Sequence, residues 1–317
     1  MLVRLFGWIM LAVLAAFLLN NYLTVWQGLP GIAPVFGTGG QASSTAWLQL
    51  GIYFASALIA VFYVRRTPER SLRSDSQRIS ALNAYLIRAA FWAVLIVGLV
   101  DTTISALRVE GMLDPLVGSQ LGADLGRAQF RGPYVHMPLL VVSLIVAAFT
   151  RTLGFPWLAL LVVVAELLIV VGRFIFSYEQ AYMADLVRFW YAALFLFASA
   201  YTLIEEGHVR VDVLYSNFKT KTKGYVNSVG SILLGMSLCW TILIIGMGGR
   251  SSIINAPIIS YEVTQAGFGL FVKYLMAGFL GIFAITMLIQ FVSYMLDAVA
   301  DIRDEPGGRD HSSSAAH

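Results

Sequence analysis

Residues 201–215 read Tyr201-Thr-Leu-Ile-Glu-Glu-Gly-His208-Val-Arg210-Val-Asp212-Val-Leu-Tyr215 and close an apolar run that begins near residue 184. A run of about 20 apolar residues is what a bilayer core requires, and in lipid its backbone groups must be satisfied within the segment, which makes it a helix. The charged stretch that follows marks where the chain leaves the membrane. His208, Arg210 and Asp212 alternate there with Val209, Val211 and Val213. Period-two alternation is a strand pattern, but a lone strand at a membrane surface leaves its backbone unpaired. An extended turn into an interfacial helix is therefore expected, with Arg210 and Asp212 placed to bridge neighbouring helix ends. An ordinary basic loop accounts for neither Asp212 nor the valines.

The whole chain has the same apolar character. Hydrophobic residues make up 58% of 317 and charged residues 12%, with a mean hydropathy of +0.77. Soluble domains are roughly a quarter charged, so the sequence specifies an all-α, polytopic integral membrane protein. Apolar runs place about eight transmembrane helices, at roughly 4–26, 46–64, 81–107, 135–150, 155–177, 184–205, 224–248 and 267–297. Between the fourth and fifth, Arg151, Gly154 and Pro156 supply a charge, a helix stop and a favoured first-turn residue. Loop 27–45 has no charged residue, whereas loop 65–80 carries Arg65, Arg66, Arg70, Arg73 and Arg78, and loop 206–223 carries Arg210, Lys219, Lys221 and Lys223. The positive-inside rule then puts the N- and C-termini in the cytoplasm. Trp26 and Trp47 flank the uncharged loop as interfacial anchors. Arg4 and the apolar stretch after it resemble a signal peptide, but no small-residue cleavage site follows, so a retained first span is expected.

Three parts are expected: residues 1–153 with about four N-terminal spans, residues 154–300 as a four-span core, and a disordered cytoplasmic tail over 301–317. No internal repeat is evident, which argues against a self-contained carrier built from inverted repeats.

Few residues can carry chemistry. The net charge of +3 is too small to suggest nucleic acid, and the lone Cys239 sits in an apolar run as a small hydrophobe. A haem or metal needs two or more converging ligands. His136 and His208 fall at opposite membrane faces, separated by about 30 Å, so neither a cofactor nor a bound metal is expected in this chain. No P-loop, HExxH or Gly-rich dinucleotide pattern is present, and no enzyme is indicated. Glu166, at the middle of the fifth span, is an expensive intramembrane acid and hence a candidate ion site. It reads more simply as a protonated or paired group locking two helices, with Arg88, Asn20 or Asn21 as partner. Arg173-Phe174 closes the fifth span, and Asp185 and Arg188 share a face of the sixth as an exposed pair that can join, cap the helix or meet a partner.

With these residues in place, spans five to eight resemble the small permease subunit of TRAP transporters (tripartite ATP-independent periplasmic transporters, DctQ-like). Arg173-Phe174 is similar to that family's closing Arg-aromatic pair. Glu206-Gly207-His208-Val209-Arg210-Val211-Asp212 with Leu214-Tyr215 resembles the end of its second helix. The helix start departs from the pattern: Tyr182 stands for Trp, Ala184 for the first Glu and Asp185 for the second. The first four spans lie outside the family's minimal fold and look like those of a longer subclass. The resemblance implies a scaffold subunit of the bacterial inner membrane. Its partners would be a large permease that binds Na⁺ and substrate, a periplasmic protein that delivers an organic acid, and membrane lipids. Two alternatives stand beside it: an autonomous small carrier or channel using Glu166, and an assembly subunit of another membrane complex.

Overall fold

The structure, a computed structural model, describes residues 1–38, 40–151, 154–178, 181–204, 215–263 and 269–307. Among the described residues eight helices are long and apolar enough to cross a membrane. They are α1 (Leu2–Val25), α2 (Ser44–Arg66), α3 (Leu72–Val109), α4 (Ala128–Phe149), α5 (Phe155–Phe176), α6 (Ala181–Ile204), α7 (Thr220–Gly246) and α8 (Lys273–Ile302). No strand occurs among the described residues, so the all-α polytopic class holds. The 38 residues of α3 rise about 57 Å, well beyond a hydrocarbon core of about 30 Å. Between α3 and α4 two short helices form, Leu113–Val117 and Ser119–Leu125.

Local chemistry sets the boundaries. Ser43 caps α2 by accepting the Ala46 N–H at 3.2 Å. Gly154 precedes α5 with φ +73°, a left-handed turn, and Pro156 occupies the first turn of the helix. A Cβ at Gly154 would lie 2.3 Å from the Phe91 ring, so both conformation and space demand glycine there. Leu58, Ile59 and Phe62 on α2, and Val163, Leu167 and Phe174 on α5, are exposed. Surfaces this apolar are covered by lipid or by another membrane protein.

By packing, the chain divides into two units, residues 1–83 with 206–241 and 287–317, and residues 84–205 with 242–286. In the first, α1 and α2 form a hairpin fastened by Gln49. Its carbonyl accepts from Asn20 at 3.1 Å, its amide donates to Thr24 at 3.0 Å, and its side-chain oxygen accepts the Gly31 N–H at 2.8 Å. A polar ladder joins α3 to α8: Asn83 donates to Gln290 at 3.1 Å, and Ser76 and Ser80 both meet Ser293, at 2.9 and 2.7 Å. Two arginines knit the helix ends. Arg4 Nε donates to the fully buried Asp75 at 2.7 Å and its Nη1 to the Thr67 carbonyl at 2.7 Å. Arg73 reaches Asp297 at 2.6 Å and Asp301 at 2.8 Å.

These contacts correct the expectation for the tail. Residues 301–307 are ordered, with α8 running to Ile302, Asp301 held by Arg73 and Asp304 paired with Lys221 at 2.6 Å. Residues 308–317 lie outside the described residues.

In the second unit α5 packs along α6. Trp190 of α6 donates to the Val94 carbonyl of α3 at 3.3 Å, and Phe189 and Phe197 meet Phe279 of α8 with ring centroids 5.1 and 4.9 Å apart. A cavity of about 210 Å³ lies among Val94, Leu140, Phe189, Phe197, Tyr274 and Phe279.

Candidate functional site

The charged centre of the second unit is Asp101, an acid set in the apolar run Gly98-Leu-Val-Asp101 of α3. Its side chain has no solvent exposure. One carboxylate oxygen accepts from Arg131 Nη1 at 2.8 Å and from His136 Nε2 at 3.0 Å, and the other accepts the Phe271 backbone N–H at 2.8 Å. The other ring nitrogen, Nδ1, lies 2.8 Å from the Tyr274 hydroxyl, so the imidazole bridges Asp101 and Tyr274. Arg131 is equally enclosed. Its Nε donates to the Leu125 carbonyl, Nη1 also reaches Ser105 at 3.0 Å, and the guanidinium lies 4.3 Å over the Phe271 ring.

The backbone of α4 makes this possible. Arg131 and His136 are five residues apart and would diverge by about 140° on a regular α-helix. Residues Gly132–His136 instead form a π turn, whose extra residue brings both side chains onto Asp101. The turn sits beneath Tyr261, and a Cβ at Gly132 would lie 2.2 Å from that ring. Glycine is the residue that lets the backbone come so close.

Asp185 completes the arrangement. The sequence reading had it as half of an exposed pair with Arg188; instead its carboxylate is buried and accepts the Leu270 N–H at 3.1 Å. Arg188 is 70% exposed and approaches Asp185 only at 3.5 Å. Leu270 and Phe271 are consecutive and lie just ahead of α8. Two carboxylates, Asp101 from α3 and Asp185 from α6, thus hold the amides that lead into α8. Negative charge is favourable there because the N-terminus of a helix carries partial positive charge.

Chemically this is a lock. Asp101 and Arg131 cancel in charge, and hydrogen bonds fill three of the roughly four acceptor positions of the carboxylate. A group so enclosed is not open to a solute or a passing ion. Breaking a buried pair by removing one partner typically costs about 3–5 kcal/mol, so the cluster fixes α3, α4, α6 and the start of α8 relative to one another.

The other expected residues have separate fates. Glu166 is exposed on α5 and makes no hydrogen bond or ion pair among the described residues. Arg88 does not pair with it: that side chain is half-buried, and its Nε has no partner among the described residues. Asn20, a second suggested partner, donates to Gln49, and Asn21, the third, is also engaged elsewhere. Among the described residues, Glu166 therefore meets no side chain of a second helix that it could lock. Arg173 lies exposed near the end of α5. Glu206, His208, Arg210 and Asp212 lie outside the described residues.

Asp101, Arg131 and Tyr274 escaped the sequence reading, and His136 was weighed there only as a metal ligand. A signal existed for Asp101, since the rule that singles out an acid in an apolar span applies to it as much as to Glu166. Nothing in a single sequence announces the π turn that joins Arg131 and His136 to it.

Residues 159–300 match the family described as tripartite ATP-independent periplasmic transporters, DctQ component. The match starts within α5, ends within α8 and covers slightly under half of the chain. No curated protein and no solved structure matches. Asp185, Leu270, Phe271 and Tyr274 fall inside the matched segment, whereas Asp101, Arg131 and His136 precede it. The buried cluster therefore ties the preceding spans to the matched ones.

Proposed function

We propose that a chain similar to the DctQ component over residues 159–300 is the small membrane subunit of a TRAP secondary transporter. It would act as scaffold for a larger permease that carries the Na⁺ and substrate sites. A periplasmic binding protein would deliver an organic acid, and the complex would reside in the bacterial inner membrane with the termini of this chain in the cytoplasm. The family match carries the proposal. The enclosure of Asp101, Arg131 and Asp185 supports it, because these intramembrane charges are spent on holding helices together. On this reading the four preceding spans widen and stiffen the scaffold, α3 and α4 being braced against the entrance to α8 through Asp101.

The test is purification and reconstitution. The chain is expected to co-purify with a larger polytopic protein, and vesicles should take up substrate only when that protein and the soluble binding protein are also present. Uptake by this chain alone overturns the proposal. A second reading, a small carrier working through Glu166, draws on the exposure of that acid in mid-span without a partner among the described residues.

A further inference from the structure

Five arginines at helix ends of the first unit, Arg4, Arg65, Arg70, Arg73 and Arg303, fall into two groups. Arg4 and Arg73 are consumed by Asp75, Asp297 and Asp301. Arg65, Arg70 and Arg303 have no carboxylate partner among the described residues: Arg70 donates to the Tyr63 hydroxyl, and Arg65 and Arg303 make no side-chain hydrogen bond. All three line one pocket of about 300 Å³, formed where the first residues of α1, the last turn of α2, the start of α3 and the end of α8 meet. Among the described residues the single carboxylate in its wall, Glu305, accepts the Arg73 backbone N–H at 3.3 Å. Val64 and Leu72, both buried, supply apolar walls.

We propose that this pocket binds the phosphodiester headgroup of an anionic phospholipid. Guanidinium forks match phosphate oxygens in pairs, and the pocket offers three such groups against one engaged carboxylate. The ends of membrane-crossing helices lie at the depth of lipid headgroups, where basic pockets between helices recognise anionic lipids. A feature of α2 favours a lipid over free phosphate. Leu58, Phe62 and Arg65 occupy positions i, i+4 and i+7, one stripe of the helix, and the two apolar members are 67% and 60% exposed. An acyl chain can follow Leu58 and Phe62 directly up to a headgroup at Arg65. The inference does not depend on the transporter reading.

The experiment uses the full chain, alone or in its complex, purified in detergent, with thermal unfolding followed while phosphatidylglycerol, phosphatidylcholine or inorganic phosphate is titrated. Phosphatidylglycerol is expected to stabilise the protein saturably and phosphatidylcholine not to. Near an anionic surface each basic residue contributes roughly five-fold in affinity, so Arg65→Gln with Arg303→Gln should weaken phosphatidylglycerol binding about thirty-fold. Arg65→Lys with Arg303→Lys keeps the charge and should lose less than about five-fold. Arg250→Gln, outside the pocket, should leave binding unchanged and reports on folding. Equal stabilisation by phosphatidylcholine, or undiminished binding in the double glutamine variant, overturns the proposal. Displacement of phosphatidylglycerol by millimolar inorganic phosphate overturns the lipid assignment in favour of free phosphate.

Discussion

Asp101→Asn strikes the centre of the buried cluster. The substitution keeps the shape of the side chain but removes its charge and one of its two acceptor oxygens. Arg131, with no solvent exposure and its guanidinium 2.8 Å from the carboxylate, is left as a buried cation without a counter-charge, a change that typically costs about 3–5 kcal/mol. One remaining oxygen cannot serve both the side-chain donors and the Phe271 N–H at 2.8 Å, and an orphaned buried donor adds about 1–3 kcal/mol. Relaxation absorbs part of the sum, so a loss of at least about 3 kcal/mol is expected. Equilibrium unfolding in mixed micelles, followed by tryptophan fluorescence, measures it. Arg131→Met removes the other half of the pair. If the two form a lock, the double variant should be more stable than the sum of the single losses implies, with a coupling of about 2 kcal/mol. Strict additivity, or a loss below about 1 kcal/mol for Asp101→Asn, refutes the reasoning. Unchanged stability with abolished uptake by the complex would assign Asp101 to transport.

Three further outcomes follow from the same structure. Gly132→Ala places a Cβ 2.2 Å from the Tyr261 ring and should cost about 1–3 kcal/mol through overpacking; if the strain is local, Tyr261→Ala in the same chain recovers part of the loss in the unfolding assay. Glu166→Gln, at an exposed position without a partner among the described residues, should alter stability by less than about 0.5 kcal/mol and leave uptake by the complex intact; loss of ion-coupled uptake would favour the carrier reading. The Tyr178 hydroxyl donates to Glu110, and that bond, with burial second, pushes the phenol above its usual range. Its contribution to the folded state is therefore complete below the unfolded phenol pKa of about 10 and is lost as pH rises through the raised value. Glu110→Gln should return Tyr178 toward ordinary behaviour in an ultraviolet titration, and an unchanged titration rules out Glu110 as the cause.

Much of the fold was legible because lipid leaves the chain few choices. Apolar runs of sufficient length must be helices, and all eight appear, with α3 and α4 beginning well before the expected 81 and 135, at Leu72 and Ala128. Gly154 and Pro156 announced the turn into α5 for the same local reason, that their backbone preferences act without help from distant residues. The charged candidates were less legible. Asp185 and Arg188 share a helical face, which spacing alone reveals, yet the buried Asp185 is bound by the Leu270 N–H, 85 positions along the chain. Glu166 drew attention as an acid in an apolar span, but its lack of a described partner depends on how α5 packs. Asp101 satisfied the same rule, and its partners became visible only once the π turn at Gly132–His136 was seen.

The sequence by itself determined the solvent this protein inhabits, the number of membrane-length helices among the described residues and the stretch that matches a transporter component, since length, hydropathy and local motif are properties of neighbouring residues. It could not determine which charges are occupied and which remain available. Arg65 and Arg73 are eight positions apart and chemically identical, yet Arg73 is bound between Asp297 and Asp301 while Arg65 faces a pocket without a carboxylate partner among the described residues. Tertiary structure made that division, because the free energy of a charge depends on its burial and its counter-charges, and here those arrive from more than 200 positions away along the chain.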